Sequence, residues 1–219
     1  MPAEIIDGKA VAAKWHRQAA ERAARLERER GIRPCLGVIL VGDNPASVSY
    51  VTAKERACAA DGILSRPLHM KADATQEEVL EAVSSLASDP AVHGILVQLP
   101  LPRNFDPKAV INAIPPEKDV DGFTNANAGK LLNGEDCLLP CTPHGIVRLL
   151  VDCGVETDGA HAVVVGRSNI VGRPSRTSSP AKVPAATPPL RSATPERAIS
   201  LPSRARPTFS SWLPATRRP

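Results

Sequence analysis

Residues 162–192 read AVVVGRSNIVGRPSRTSSPAKVPAATPPLRS, and they begin as one kind of sequence and end as another. AVVV is a short apolar run stopped by Gly166, the pattern of a buried strand entering a turn. A parallel strand that ends at one glycine and reopens at a second, here Gly172, normally leads into a helix whose N-terminus can meet an anion. Beyond Pro174 no apolar period survives. Pro180, Pro184, Pro188 and Pro189 interrupt the place where that helix should run, since each lacks a backbone donor and clashes with the preceding turn. The stretch therefore predicts a nucleotide-binding α/β unit that is begun and then abandoned.

Upstream the same grammar repeats without interruption. DGKAVAAKWHRQAAERAARLERERG predicts an amphipathic helix with Asp7 as N-cap and Gly31 past its end. CLGVILVG is a buried strand, and ASVSYVTAKERACAADG a helix with Ser47, Tyr50, Val51, Lys54 and Cys58 at helical spacing, closed by Gly62. TQEEVLEAVSSLASDP is a helix and VHGILVQLPLP a buried strand with an abrupt proline stop. DPKAVINAIPPEKDVDGF is a brief helix followed by an acidic loop. TPHGIVRLLVDCGV is a helix capped by a Thr-Pro pair, and HAVVVG the next strand. Alternating helices and strands predict an α/β fold with a mainly parallel sheet.

Composition narrows the class. Of 219 residues 42% are hydrophobic but only 3% aromatic, so the core must be aliphatic. No run approaches the roughly 20 apolar residues of a membrane span, and the first residues lack the basic-then-apolar order of a signal peptide. A cytoplasmic protein with no membrane partner is the expectation. Cys35, Cys58, Cys137, Cys141 and Cys153 show no CxxC spacing, which predicts free thiols and no metal. The net charge of +4 is a property of the end of the chain: residues 175–219 hold eight Lys or Arg and one acidic residue, leaving the remainder net negative. Nucleic-acid binding would rest on that tail alone, where only Phe209 and Trp212 could stack on bases, so no nucleic-acid partner is expected.

Few residues are candidates for chemistry. Tyr50, the single tyrosine, and Lys54 are spaced i, i+4, which puts a phenol and an ammonium on one helix face. Gln98 stands at the carboxyl end of a buried strand, where ligands of open parallel sheets gather and where an amide needs a partner. Asp119 and Asp121 share a tight loop, where either could simply cap the backbone. Cys141 and His144 are close in sequence but stand at a helix start in poor geometry for a Cys/His nucleophile. Arg167 and Ser168, in the turn after AVVVG, could meet a ribose phosphate, although GRSNIVG is not GxGxxG.

Taken together, YVTAK (50–54), GILVQLPLP (94–102), PPEKDVDGF (115–123), LLPCTPHGI (138–146) and VVVGRSNIVGRP (163–174) resemble the bifunctional methylenetetrahydrofolate dehydrogenase/cyclohydrolase family, in order and at family-like separations. The resemblance spans about residues 3–174. It implies NADP-linked oxidation of 5,10-methylenetetrahydrofolate to the methenyl form and hydrolysis of that form to 10-formyltetrahydrofolate, in a homodimer supplying one-carbon units to purine biosynthesis. It implies that Lys54, as a buried ammonium, moves protons and stabilises charge in the hydrolytic step, that Gln98 hydrogen-bonds Lys54, that Tyr50 stacks on the folate, and that Asp121 accepts hydrogen bonds from the pterin. Gly166, Arg167 and Ser168 match the family's cofactor turn, with Arg167 suited to a 2′-phosphate.

After Pro174 the resemblance is expected to stop. The tail has no glycine, one lysine and one valine, a composition that supplies no sheet core. It is explained as a reading-frame change. If one nucleotide is lost in the Pro174 codon, and the free third bases are chosen to suit, residues 174–215 re-read as approximately PVANLLAGKGAGGDATVxVCHSRTRDLAAVAREADILVVAAG, which restores the helix, the HSRT turn and the ADILV strand that the family carries. Most codons have two fixed bases, and the Trp212–Leu213 junction can only give Ala or Val. The expected organisation is a folate-binding α/β lobe over 1–140, the truncated start of a Rossmann-type NADP-binding lobe over 141–174, and a disordered out-of-frame tail over 175–219. The alternative is a non-catalytic folate-cleft remnant or a basic-tailed binding module.

Overall fold

The computed structural model describes residues 5–157, 162–177, 191–193 and 209–210. The chain divides into two compact units, Met1–Asn127 and Ala128–Pro219.

The first unit opens with α1 (Gly8–Arg30), whose N-cap is Asp7, accepting from the amides of Lys9 and Ala10, and whose chain leaves through Gly31 at φ 65°. Strand β1 (Cys35–Val41) follows, then α2 (Pro45–Ala60), β2 (Leu64–Met70), α3 (Gln76–Ser88), β3 (Gly94–Val97) and the short α4 (Pro107–Asn112). Helix α2 starts where Asn44 accepts from Ala46 and Ser47 with Pro45 in its first turn. Helix α3 starts with a reciprocal capping box between Thr75 and Glu78. The sheet is parallel, in the order β2-β1-β3. Its central strand β1 carries apolar residues on both faces. Cys35, Ile39 and Val41 pack with Val79, Val83 and Leu86 of α3, Val110 of α4, and Ile95 and Val97 of β3. Val38 and Leu40 face the other way, onto Val51 of α2. Each such aliphatic side chain withdrawn from water contributes roughly 1.5–3 kcal/mol. Gly37 is the gap that admits α3: a Cβ there would lie 2.9 Å from Leu86 Cδ1.

β2 is absent from the sequence expectations. Its residues, LSRPLHM, do not alternate, and Pro67 interrupts them. It forms because it is an edge strand, paired to β1 on one side only and mostly exposed, so that neither an apolar face nor an unbroken row of donors is required of it.

Helix α5 (Asn125–Asn133) runs from the first unit into the second and is likewise absent from the sequence expectations. The second unit continues with α6 (Cys141–Asp152), β4 (Ala162–Val165), α7 (Gly172–Thr177), β5 (Arg191–Ala193) and β6 (Phe209–Ser210). Two expectations are corrected here. Helix α6 begins one residue before Thr142, with Pro140 at the cap and no side-chain hydrogen bond closing it; Pro143 is tolerated because amides of a first turn have no partner within the helix. The helix expected not to form after Gly172 does begin, and α7 holds six residues. All its residues precede Pro180. Strands β5 and β6 flank β4 in parallel. The rest of residues 175–219, for which disorder is expected, lies outside the described residues.

Candidate active site

In the first unit β1 is followed through α2 by a neighbour on one side, and β3 joins it on the other. Such a reversal opens a crevice at the carboxyl ends of the strands, where ligands of parallel sheets bind. Gln98 sits at that end, immediately after β3, and its amide donates to Ile39 O of β1 at 2.8 Å. Its side chain is fixed at both ends: Nε2 donates to Leu99 O at 2.7 Å, and Oε1 accepts from Lys54 Nζ at 3.0 Å. The backbone bond sets which way the amide faces, so the acceptor is the atom turned to the ammonium. Lys54 is half-buried, which corrects the expectation of a buried ammonium. Tyr50, one turn earlier on α2, is 65% exposed, so its ring is available to a flat ligand.

The loop after α4 is built around a carboxylate. Asp119 is 1% exposed. Its oxygens accept from Phe123 N at 3.2 Å, Thr124 N at 2.8 Å and Asn127 Nδ2 at 2.9 Å. Asp119 is thus the backbone cap that the sequence allowed it to be. Asp121, two residues on, lines a narrow crevice together with Asp119, Leu96 and Val97 of β3, Ile111, Ile114 and Phe123. Lys118 donates to Ala87 O at 2.8 Å and Asp89 O at 2.9 Å, at the carboxyl end of α3. Sequence reasoning missed Lys118 and Asn127. Most of the acceptors they use are backbone carbonyls, which carry no sequence signature.

In the second unit, Gly166 (φ 155°) and Gly172 close a turn between β4 and α7. A Cβ on Gly172 would lie 2.7 Å from the carbonyl carbon and oxygen of Gly166, so only glycine allows the approach. Ser168 Oγ accepts from Val171 N and Gly172 N, each at 3.1 Å, which spends its acceptor capacity on the turn itself. Arg167 is exposed. The turn fits the phosphate end of a dinucleotide. Among the described residues nothing beyond it forms the walls that would hold an adenine or a nicotinamide. On α6, Arg148 Nε donates to His144 Nε2 at 3.2 Å, and burial first, then the Arg148 charge, hold the His144 pKa below its ordinary value. A histidine engaged in this way is not poised as a base for Cys141. No disulfide joins the five cysteines, all of which lie among the described residues.

Comparison with known proteins places this geometry in context. Residues 6–121 match the family described as tetrahydrofolate dehydrogenase/cyclohydrolase, catalytic domain, and residues 140–185 match its NAD(P)-binding domain. The second match runs past Pro174, which corrects the expectation that the resemblance stops there. The chain is 52% identical over 174 residues to the bifunctional protein FolD of Moorella thermoacetica, covering 80% of this chain and 62% of the relative. It is 52% identical over 171 residues to that of Streptococcus pneumoniae serotype 4, covering 78% and 60%. The chain thus spans about three fifths of the length of these curated relatives. Among solved structures, the bifunctional FolD enzyme from Campylobacter jejuni superposes with a TM-score of 0.83 at 41% identity, over 88% of this chain and 67% of that one. The Trypanosoma brucei enzyme, solved with NADP cofactor and an inhibitor, gives 0.84 at 36% identity, over 91% and 68%.

Proposed function

The chain belongs to the tetrahydrofolate dehydrogenase/cyclohydrolase family, and from that premise we propose that its first unit carries a cyclohydrolase centre acting on 5,10-methenyltetrahydrofolate. The observation that carries the reading is the 3.0 Å hydrogen bond from Lys54 Nζ to Gln98 Oε1, which joins two residues 44 positions apart, Gln98 standing at the carboxyl end of β3. In the hydrolysis a water oxygen bonds to the methenyl carbon and gives up one proton, leaving a neutral hydroxyl adduct. As the bond from that carbon to N5 breaks, the hydroxyl gives up its proton and N5 takes one up, leaving the formyl group on N10 with one proton released overall. Lys54 supports both proton movements and the charge that develops, and Gln98 holds it in register. Tyr50 stacks on the folate, and Asp121 accepts from the amino and ring N–H groups of the pterin. The test is hydrolysis of methenyltetrahydrofolate, followed as loss of its absorbance, by the full chain and by Lys54→Ala. Equal rates would refute the assignment.

NADP is the cofactor of the family's oxidation step, to which it supplies the hydride acceptor. Gly166, Arg167 and Ser168 would hold its phosphate end, with the Arg167 guanidinium on a 2′-phosphate and Ser168 keeping the turn in shape. These residues do not make a complete cofactor site, and both the oxidation of methylenetetrahydrofolate and the hydrolysis that follows it are proposed to be impaired in this chain. The frame change accounts for the loss. Position supports it: β5, at 191–193, falls on the re-read strand that precedes HSRT, and β6, at 209–210, falls within the re-read ADILV. The domain limits 1–140, 141–174 and 175–219, a homodimer, a cytoplasmic site of action and supply of one-carbon units to purine biosynthesis belong to the same reading. Among the described residues, no helix is long and apolar enough to cross a membrane.

A further inference from the structure

Asp121 stands on a turn that has no regular element of its own, yet its neighbours are tied down on every side. Gly122 N donates to Asp119 O at 3.0 Å, closing a turn with Val120 and Asp121 at its centre, and Gly122 takes φ 63°. Ile95 N donates to Lys118 O at 2.7 Å, and Ile95 pairs in parallel with Asp119, so the loop enters as a short extension of the sheet. Val120 lies over Gly94, where an added Cβ would be 2.4 Å from Val120 Cγ1. On one flank the Lys118 ammonium sits on Ala87 O and Asp89 O; on the other the buried Asp119 carboxylate gathers two backbone amides and Asn127.

We infer that Asp119 and Lys118 are positioning residues for Asp121, holding its carboxylate pre-formed in the crevice so that a planar ligand with adjacent N–H donors finds its acceptor already oriented. The inference rests on the proposed folate contact of Asp121. Three donors converge on two carboxylate oxygens at Asp119. An amide in its place has one acceptor and an N–H₂ that opposes at least one of them, so the turn loosens while the core beneath it stays packed. Without the ammonium of Lys118, the other end of the turn loses its tie to the end of α3. Pre-organisation is the contribution: a ligand that must order the turn binds more weakly by the cost of ordering it.

The experiment is calorimetric titration of 5-formyltetrahydrofolate into the full chain and its Asp121→Asn, Asp119→Asn, Lys118→Met and Lys118→Arg variants, below the unfolding temperature of each. Asp119→Asn is expected to weaken binding about tenfold, comparably to Asp121→Asn, with the double variant no weaker than the worse single one, as for residues that act as a unit. Lys118→Met is expected to weaken binding and Lys118→Arg to restore it, and this pair carries the test if Asp119→Asn fails to fold. Lower unfolding temperatures with unchanged affinity in Asp119→Asn and Lys118→Met would overturn the inference, since that is the signature of a merely structural role. Unchanged affinity in Asp121→Asn, or no binding by the unsubstituted chain, would overturn the folate reading and this assignment with it.

Discussion

Lys54 can move protons at a substrate only if its ammonium is held yet not consumed, and one amide meets that condition. Gln98 takes one of the three N–H donors, and Leu99 O keeps the amide from turning its N–H₂ toward the lysine. In a protein whose reading frame is restored, Lys54→Ala is expected to lower methenyltetrahydrofolate hydrolysis by about 100-fold or more, the usual contribution of a positioned proton-transfer group. Retention of the normal rate would remove Lys54 from the reaction. Each member stood out in the sequence by its patterned segment, one on a helix face and one at a strand end, while their pairing came from the family resemblance. Lys118 was not legible: its partners are carbonyls about 30 positions away, and any residue type supplies those.

Elements were readable where they obey a period and hidden where they do not need one. The long α1 declares both ends through Asp7 and Gly31, and α3 through its capping box, but β2 borrows its order from β1 and shows neither alternation nor an apolar face. The capping box makes a measurable statement. Thr75→Ala removes the acceptor for Glu78 N and should lower unfolding free energy by about 1 kcal/mol in denaturant titration. Gly94→Ala forces a methyl against Val120 where β3 meets the acidic loop and should cost about 1–3 kcal/mol in the same measurement. At α6, burial and Arg148 lower the His144 pKa in the folded chain, so the unfolded chain takes up the proton first as pH falls. Stability from this histidine is full above its ordinary value of 6.5 and declines as pH drops through it. The protection of α6 amides against hydrogen exchange, relative to the intrinsic rate at each pH, should therefore fall on going from about pH 7 to about pH 5, and His144→Gln should flatten that dependence.

At the scale of the whole chain, two units with different standing follow from one sequence. The first contains a complete parallel sheet with aliphatic packing on both faces, and its proposed catalytic residues are all internal to it. Among its described residues the second offers a glycine turn followed by a helix of six residues and strands of three and two. A dinucleotide needs more than its phosphate end held: hydride transfer requires the nicotinamide to be fixed against the methylene carbon, which is a matter of position, not of a protein base. Under the proposed frame change the residues that would provide this lie past Pro174, where the re-reading recovers a family-like helix and strands and the chain supplies proline, serine and arginine. The expected outcome is that the chain as translated forms no measurable NADPH from methylenetetrahydrofolate, whereas the protein expressed from a gene with one nucleotide returned to the Pro174 codon forms it, provided the downstream DNA is intact. The decisive measurement is NADPH formation by the two proteins expressed side by side, and robust turnover by the unrepaired chain would show that the second unit is sufficient as it stands.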